Sequence, residues 1–551
     1  MPENTTAEMK HESNFKSVIS FFEEISKIPR CSKNEEKIAA YLENFGKSRG
    51  FETKRDAHNN IVVKIPATPG FETLPAVVLQ SHMDMVCEKE ADATHNFSKD
   101  ALKLKYIEED GIRYLAADKT TLGADNGIGM AYALAIAASD SEKLPHPPLE
   151  LLFTTDEEIG LTGAQGMENE FISGEFMINL DSEEEGTIIV GCAGGAQIVF
   201  KQLVDVEELL PEKSDAPANP IFLYEVRISG LKGGHSGTDI HIGRGNSNLI
   251  AAHFLIHLEE KYPQRKIELI KIKGGSASNT IPRSTELIFA ADISPAVLEN
   301  EAAEFEEKML SDSKLNDRDL KIIVEEITLQ KIRNEIKTEA KTQTTAALKT
   351  FSPKGTGRIL RLLTSIPNGV LEMSPEIPDL VLVSGNVAIV KTNVCFEFED
   401  GAEAEKNELD IFSRKAQREI EIIYSLRSGN EVKLKEQMKE MMDLADGNQF
   451  IAEISHIYMP WEPNFESAFL KKCADVYRKT FEKDVTVAAI HAGLECGVFH
   501  RMFPSMKMIS IGPDIIGAHT PDEKLNLEAA ENVWIYLKEI LKSFGDEIVQ
   551  Q

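Results

Sequence analysis

The apolar run Val77-Val78-Leu79 leads through Gln80 into Ser81-His82-Met83-Asp84-Met85, so a short buried-looking segment ends on an imidazole and a carboxylate. A run of that length reads as a strand covered on both faces, and residues two apart in extended chain face the same side, which lets His82 and Asp84 enter one cavity. Similar runs occur at Ile61–Ile65, Leu149–Phe153 and Phe176–Leu180. Helical spacing of apolar residues marks Ser17–Ile25, Glu35–Phe45 and Gly129–Ala138, and Ser32, three before Glu35, predicts a capping box for the second of these helices. Alternating buried strands and helices argue for an α/β fold with a largely parallel or mixed sheet. In such sheets functional groups gather beyond the carboxyl ends of the strands.

The middle of the chain reads differently. Between Lys201 and Pro220 the run Glu208–Pro220 looks like a connector, and alternating strands at Leu223–Ile228 and Glu286–Ala291 then interleave with helices at Asn248–Tyr262 and Ser294–Leu310, as in an α+β domain. The charged stretch Lys314–Thr350 reads as a surface insertion, and beyond Pro460 the α/β pattern resumes. The expectation is one discontinuous α/β domain, 1–212 and 461–551, interrupted by an inserted α+β domain, 213–460. No internal repeat stands out.

The 551 residues are 42% apolar, enough for large cores and, at roughly 100 to 200 residues per domain, for several domains. Acids outnumber bases 90 to 60, a formal charge of −30 that repels phosphate backbones and anionic membranes. Neither nucleic acid nor membrane is an expected partner. The six cysteines form no C-x-x-C pair, which suits a reducing compartment, and Cys87 and Cys496 read as small buried fillers. Met1 to Phe15 lacks the features of a signal peptide, and no run of eighteen apolar residues occurs, so a soluble cytoplasmic protein is expected.

Acids and histidines recur where strands should end. Leu122-Gly123-Ala124-Asp125-Asn126-Gly127 precedes a small-residue helix, placing Asp125 near an N-cap, a role compatible with metal ligation. Asp156-Glu157-Glu158 follows an apolar strand, and crowded carboxylates bind protons more tightly unless a cation compensates. Adjacent side chains diverge, so one of Glu157 and Glu158 can ligate while its neighbour handles a proton. Asp181 follows Asn179-Leu180, and His491 to Gly497 and Gly517-Ala518-His519 follow later strands. Each residue alone has an ordinary structural reading; their joint placement at strand ends is the signal. A set of His82, Asp125, Glu158, Asp181 and His519, imidazole and carboxylate without thiolate, suits zinc, with manganese or cobalt as substitutes. Its three carboxylates balance two divalent ions and a bridging hydroxide, whereas one ion would leave a negative and poorer electrophile.

These motifs, with Gly233-Gly234-His235-Ser236-Gly237-Thr238-Asp239 in the insert, resemble the aminoacyl-histidine (Xaa-His) dipeptidases, co-catalytic zinc exopeptidases related to carnosinase and to carboxypeptidases. The ordered match runs from His82 to His519. The resemblance implies a discontinuous metallopeptidase catalytic domain with an inserted lid, His82 and Asp181 on one zinc, Glu158 and His519 on the other, and Asp125 bridging. It further implies that Asp84 orients His82, that Glu157 is the general base for a di-zinc-activated water, and that His235 stabilises the oxyanion. In several relatives that His arrives from a partner subunit, which leaves a homodimer open. Asn279 and Arg427 are candidates for the substrate carboxylate and Glu495 for its free amine, beside plainer structural readings. Bacterial members look shorter, and Lys314–Thr350 has no evident counterpart in them. A metal-dependent dipeptidase acting on small Xaa-His dipeptides is the expectation. The rivals are a deacylase or carboxypeptidase on the same scaffold and a non-catalytic peptide-binding protein with a structural metal. The last is disfavoured because structural zinc is usually closed and often thiolate-rich.

Overall fold

The computed structural model describes residues 4–140, 144–208, 220–332, 349–395 and 417–546. Packing divides the chain into two units, Met1–Ala193 with Met459–Gln551, and Gly194–Tyr458. The first boundary falls earlier than the expected 212. Gly194 opens a long strand, Gly194–Glu208, which is paired antiparallel with Gln417–Ser428 and reaches the first residue of the expected connector Glu208–Pro220. Residues 209–219 lie outside the described ones.

In the first unit a mixed eight-stranded sheet runs in the order Glu52–Arg55, Ile61–Ile65, Leu149–Thr154, Val77–His82, Phe176–Asn179, Lys507–Ser510, Thr187–Cys192, Thr486–Ile490. Leu149–Thr154, Val77–His82, Phe176–Asn179 and Lys507–Ser510 are mutually parallel, which brings their carboxyl ends to one edge of the sheet. Every residue of Val77–His82 is buried, as a central parallel strand requires. Against it packs the helix Ala124–Ala137, whose small and apolar residues are buried all round, in contact also with Asn4–Ile25. Tyr132 of that helix stacks on Trp534 at 6.4 Å and 9°, and its hydroxyl donates to the carbonyl of Ala530 at 2.8 Å.

Two local expectations fail here for related reasons. The helix Glu36–Ser48 has Glu35 at its N-cap without a side-chain cap. Glu35 instead accepts the backbone N–H groups of Lys33 (2.9 Å) and Asp156 (3.1 Å), and the Ser32 hydroxyl donates to Asp84 at 2.8 Å. The groups of the predicted capping box are therefore spent on the loops beyond the strands. Cys87 is not a free filler either, since it is disulfide-bonded to Cys31 across 56 residues of sequence. Local spacing could not reveal that pair, because it depends on the segments after Asn4–Ile25 and after His82 meeting in space, as the bridge between Cys31 and Met85 records. Cys192, Cys473 and Cys496 are buried free thiols, as read for Cys496.

The second unit is built on a ten-stranded antiparallel sheet, with Lys321–Glu326 at one edge beside Phe222–Ser229. Lys349–Phe351 pairs with Gly194–Glu208. The stretch from Lys314 to Thr350 thus contributes strands rather than only a surface insertion; its residues 333–348 lie outside the described ones. The helices Ser247–Lys261, Pro295–Ser311, Pro353–Ser365 and Glu431–Gly447 accompany the sheet. Among the described residues no helix is long and apolar enough to cross a membrane.

Trp534 is 2% exposed, so Trp534→Ala should leave a cavity and cost about 3 to 5 kcal/mol in urea unfolding of the whole chain.

Candidate metal centre and active site

The parallel strands deliver the candidate donors to one place. His82 is the last residue of Val77–His82, Glu157 and Glu158 follow Leu149–Thr154, and Asp181 follows Phe176–Asn179. Asp125 lies in the first turn of Ala124–Ala137, and His519 lies in the loop between Ile515–Ile516 and Lys524–Asn526. The N-cap position of that helix belongs to Gly123, while Asp125 and Asn126 leave helical geometry. The Asp125 carboxylate consequently does not cap. Its Oδ1 stands 2.8 Å from His82 Nε2 and its Oδ2 3.0 Å from His519 Nε2. His82 Nε2 is also 3.2 Å from Asp181 Oδ1, and His519 Nε2 is 3.0 Å from Glu158 Oε2. The five donors form two sets that share Asp125. Ligand atoms of His82, Asp125 and Glu158 lie within 4.8 Å of one another.

Burial dominates the electrostatics. It pushes Glu158 up to about 7, with Asp125 adding and His519 opposing, and it raises Asp181 and, well above the carboxylate range, Glu157. Burial opposes charge on the imidazoles, yet Asp181, Asp125 and Asp84 hold His82 well above its ordinary value, and Asp125 and Glu158 push His519 up to about 12. Burial would raise Asp125 as well, but His519 and His82 hold it well below the usual range. Such opposed shifts mark a cluster whose negative charge calls for compensation. Glu158 Oε1 is buried without a hydrogen-bond partner, and the donors are all imidazole nitrogen and carboxylate oxygen. The residues fit divalent ions of the zinc, manganese or cobalt type.

Buried polar groups hold the donors in place. Asp84 accepts the backbone N–H groups of Glu157 (3.0 Å) and Glu158 (3.2 Å), and its Oδ1 stands 3.4 Å from His82 Nδ1, an ion-pair distance rather than a formed hydrogen bond. Burial works to raise Asp84, but His82, the Glu157 N–H and Ser32 keep it ionised. The Asn126 amide donates to Asp181 and, at 2.8 Å, to the Leu180 carbonyl. Asp156 pairs with Lys33 and accepts from Thr162, fixing the turn before Glu157. Arg30 and Glu523 bind backbone groups around Met83 and Ala124. Sequence reading missed this supporting role for Ser32, Asn126 and Asp156, which it had placed in motifs, and missed Lys33, Arg30 and Glu523 altogether. The faint signal available was charged or amide residues set among apolar neighbours, as Arg30 is after Ile28-Pro29.

Glu495 belongs to the same unit and is fully buried, with Oε2 accepting from Gln80 (2.5 Å) and Thr154 (2.6 Å); burial raises it to about 8. In the second unit three other candidates gather. Arg427 stands 3.3 Å from His235 Nε2 and donates to the Tyr458 hydroxyl at 3.0 Å, while the Asn279 carbonyl accepts from the Ser236 N–H at 2.8 Å. The Thr238 N–H approaches His235 Nδ1 at 3.1 Å, and the Arg427 guanidinium, which can only donate, faces Nε2. A guanidinium is a group suited to anions.

Imidazoles and carboxylates gathered at parallel strand ends form a donor set that can serve metal-assisted hydrolysis. Residues 78–543 match the sequence pattern of Peptidase family M20/M25/M40. The chain is 34% identical over 524 residues to a cytosol non-specific dipeptidase of Escherichia coli (strain K12), covering 95% of this chain and 96% of that one. It is similar to the crystal structure of aminoacylhistidine dipeptidase from Vibrio alginolyticus, with 32% identity, a TM-score of 0.70 and 96% of each chain covered. A tripeptidase from Staphylococcus aureus shares the fold at 15% identity and a TM-score of 0.53, over 96% of this chain and 98% of that one. The chain belongs to peptidase family M20/M25/M40 and is a peptidase.

The shifts at Glu158 and His519 have a pH signature. Both groups bind protons more tightly when folded, Glu158 at about 7 against 4.5 and His519 at about 12 against 6.5. Their contribution is complete below the unfolded values and is lost as pH rises through the folded ones. Chelator-stripped protein should therefore melt lower at pH 8 than at pH 5, and saturating zinc should flatten that slope. Scanning fluorimetry with and without chelator checks this; equal slopes would count against the cluster as a cation site.

Proposed function

We propose that this peptidase hydrolyses dipeptides, Xaa-His among them, using two divalent ions, most simply zinc, with Glu157 as general base. The observation that carries the reading is the division of Asp125, one carboxylate oxygen toward His82 and the other toward His519. His82 and Asp181 would hold one ion, Glu158 and His519 the second, and Asp125 both. The ions would supply Lewis acidity toward the scissile carbonyl and lower the pKa of the attacking water.

The chain's own groups do the rest. Glu157, with its proton affinity raised by burial, takes a proton from the attacking water and passes it to the leaving amine. Asp84 sets the orientation of His82 and, through two backbone N–H groups, of both glutamates. His235, from this chain or from a partner subunit in a homodimer, is assigned the developing oxyanion, and Arg427 with Asn279 the substrate carboxylate. Glu495 is assigned to the free amine only through its unpartnered Oε1. The names of the Escherichia coli and Vibrio alginolyticus relatives support dipeptides over acylated amino acids as substrates.

Glu157→Gln should keep two ions per chain and lower kcat by about 100- to 10,000-fold. Metal quantification together with hydrolysis of Ala-His, acetyl-His and a tripeptide tests both halves of the proposal. Activity of Glu157→Gln near wild type would remove the base, and equal cleavage of acetyl-His would favour a deacylase.

We place the protein in the cytoplasm, as the name of the Escherichia coli relative supports. The Cys31–Cys87 bond pulls the other way, because disulfides persist mainly in oxidising compartments. Alkylation of both cysteines on rapid lysis is the expected result; protection of both would move the protein to an oxidising compartment.

A further inference from the structure

Two nearly buried charged side chains outside the donor set link the segments that carry it. We propose that Arg30 and Glu523 form a brace that sets the spacing between His82 and Asp125, making both of them positioning residues for the two ions. The inference rests on the two-ion reading above. Arg30 Nη1 donates to the carbonyls of Met83 (3.1 Å) and Asp84 (2.8 Å), and Nη2 donates to the carbonyl of Gly123 (2.5 Å). Glu523 Oε2 accepts from the N–H groups of Leu122 (2.8 Å) and Gly123 (2.9 Å), and Oε1 accepts from Ala124 (2.7 Å) and, at greater length, Asp125 (3.4 Å).

Met83 follows His82 and Ala124 precedes Asp125, so each charge grips backbone beside a ligand. Gly123 is held from both directions, its carbonyl by the guanidinium and its N–H by the carboxylate. It adopts φ +67°, and a Cβ there would sit 2.5 Å from Arg30 Nη2 and 2.7 Å from Met85 Sδ, so the close approach requires glycine. Arg30 is 1% and Glu523 2% exposed, which shields the brace from competing water.

The chemistry asks for these two residue types. A planar guanidinium with five donors reaches three carbonyls on two segments, which a lysine ammonium cannot do in the same geometry. A carboxylate offers two acceptor oxygens to neighbouring N–H groups, whereas a glutamine would turn its own NH₂ toward some of them. Charges buried in this way rarely stabilise a core better than apolar residues of equal volume would. Their use here is directional: they fix two backbones at a set separation. Loss of partners that orient ligands typically lowers metal affinity about 10- to 100-fold.

The test measures zinc affinity by competition with a chromogenic chelator on the full chain, alongside melting of the stripped protein and kcat at saturating zinc. Glu523→Gln should weaken both ions about 10- to 100-fold. Glu523→Asp should recover part of that loss, and excess zinc should restore most of the turnover. If Glu523→Gln does not fold, Arg30→Lys, which keeps the charge and loses the fork, carries the same expectation. A merely structural role would lower the melting temperature and leave zinc affinity at the wild-type value, and that result in a folded variant overturns the brace alone. Fewer than two ions on the wild-type chain would overturn the two-ion reading and the brace with it.

Discussion

Mutual repulsion among buried carboxylates is the constraint around which the first unit is organised. Asp125, Glu158 and Asp181 converge on two imidazoles, with Glu157 beside them. Unit charges about 4 Å apart interact by roughly 4 kcal/mol at an effective dielectric of about 20. A single hydrogen bond contributes about 1 kcal/mol net. No one contact could therefore hold such a cluster together, and several must act on each loop at once. That is what surrounds it: Asp84 on the glutamate turn, Asn126 on Asp181, Arg30 on the His82 segment and Glu523 on the loop before Asp125.

The sheet explains why these loops meet at all. Parallel central strands end on one edge, and because the flanking connections leave from that edge, donors distant in sequence arrive as neighbours. Apolar strand interiors supply the rigid base, and the polar groups come only after the last buried residue. Backbone geometry contributes as well. Asp125 and Asn126 depart from helical angles within the first turn of Ala124–Ala137, which frees the Asp125 side chain from capping and turns it toward both histidines. Where Lys507–Ser510 exits the sheet, Gly512 has its α-carbon against the Ser182 carbonyl with no room for a side chain, so the chain after Asp181 is held close to this neighbouring segment.

Much of this was legible in the sequence because it is local. The buried strands announced themselves as apolar runs, the helices by their spacing, and the five ligand candidates by their position at strand ends. What failed was of another kind. Ser32 and Glu35 have the spacing of a capping box, but partners far along the chain, Asp84 and Asp156, compete for the same atoms and win. Cys31 and Cys87 pair only because two loops meet. Beyond Phe200 the strand Gly194–Glu208 carries too many charged and polar residues to show as an apolar run, yet pairing with Gln417–Ser428 as far as Asp205 and with Lys349–Phe351 from Val206 makes it one. Arg30 and Glu523 resemble any other charged residues until the fold buries them.

The two adjacent glutamates illustrate how one sequence feature acquires two uses. Both backbone N–H groups point at the same carboxylate, that of Asp84, so the turn is fixed once for both residues. With the backbone pinned, the side chains cannot share a direction. Glu158 reaches His519 at 3.0 Å and meets a cationic partner. Among the described residues Glu157 has no such contact; burial raises its proton affinity, and it feels His82 at longer range together with the repulsion of Glu158, Asp181 and Glu495. On the proposed reading the first serves as ligand and the second as base. The difference in surroundings arises from a single fixed turn.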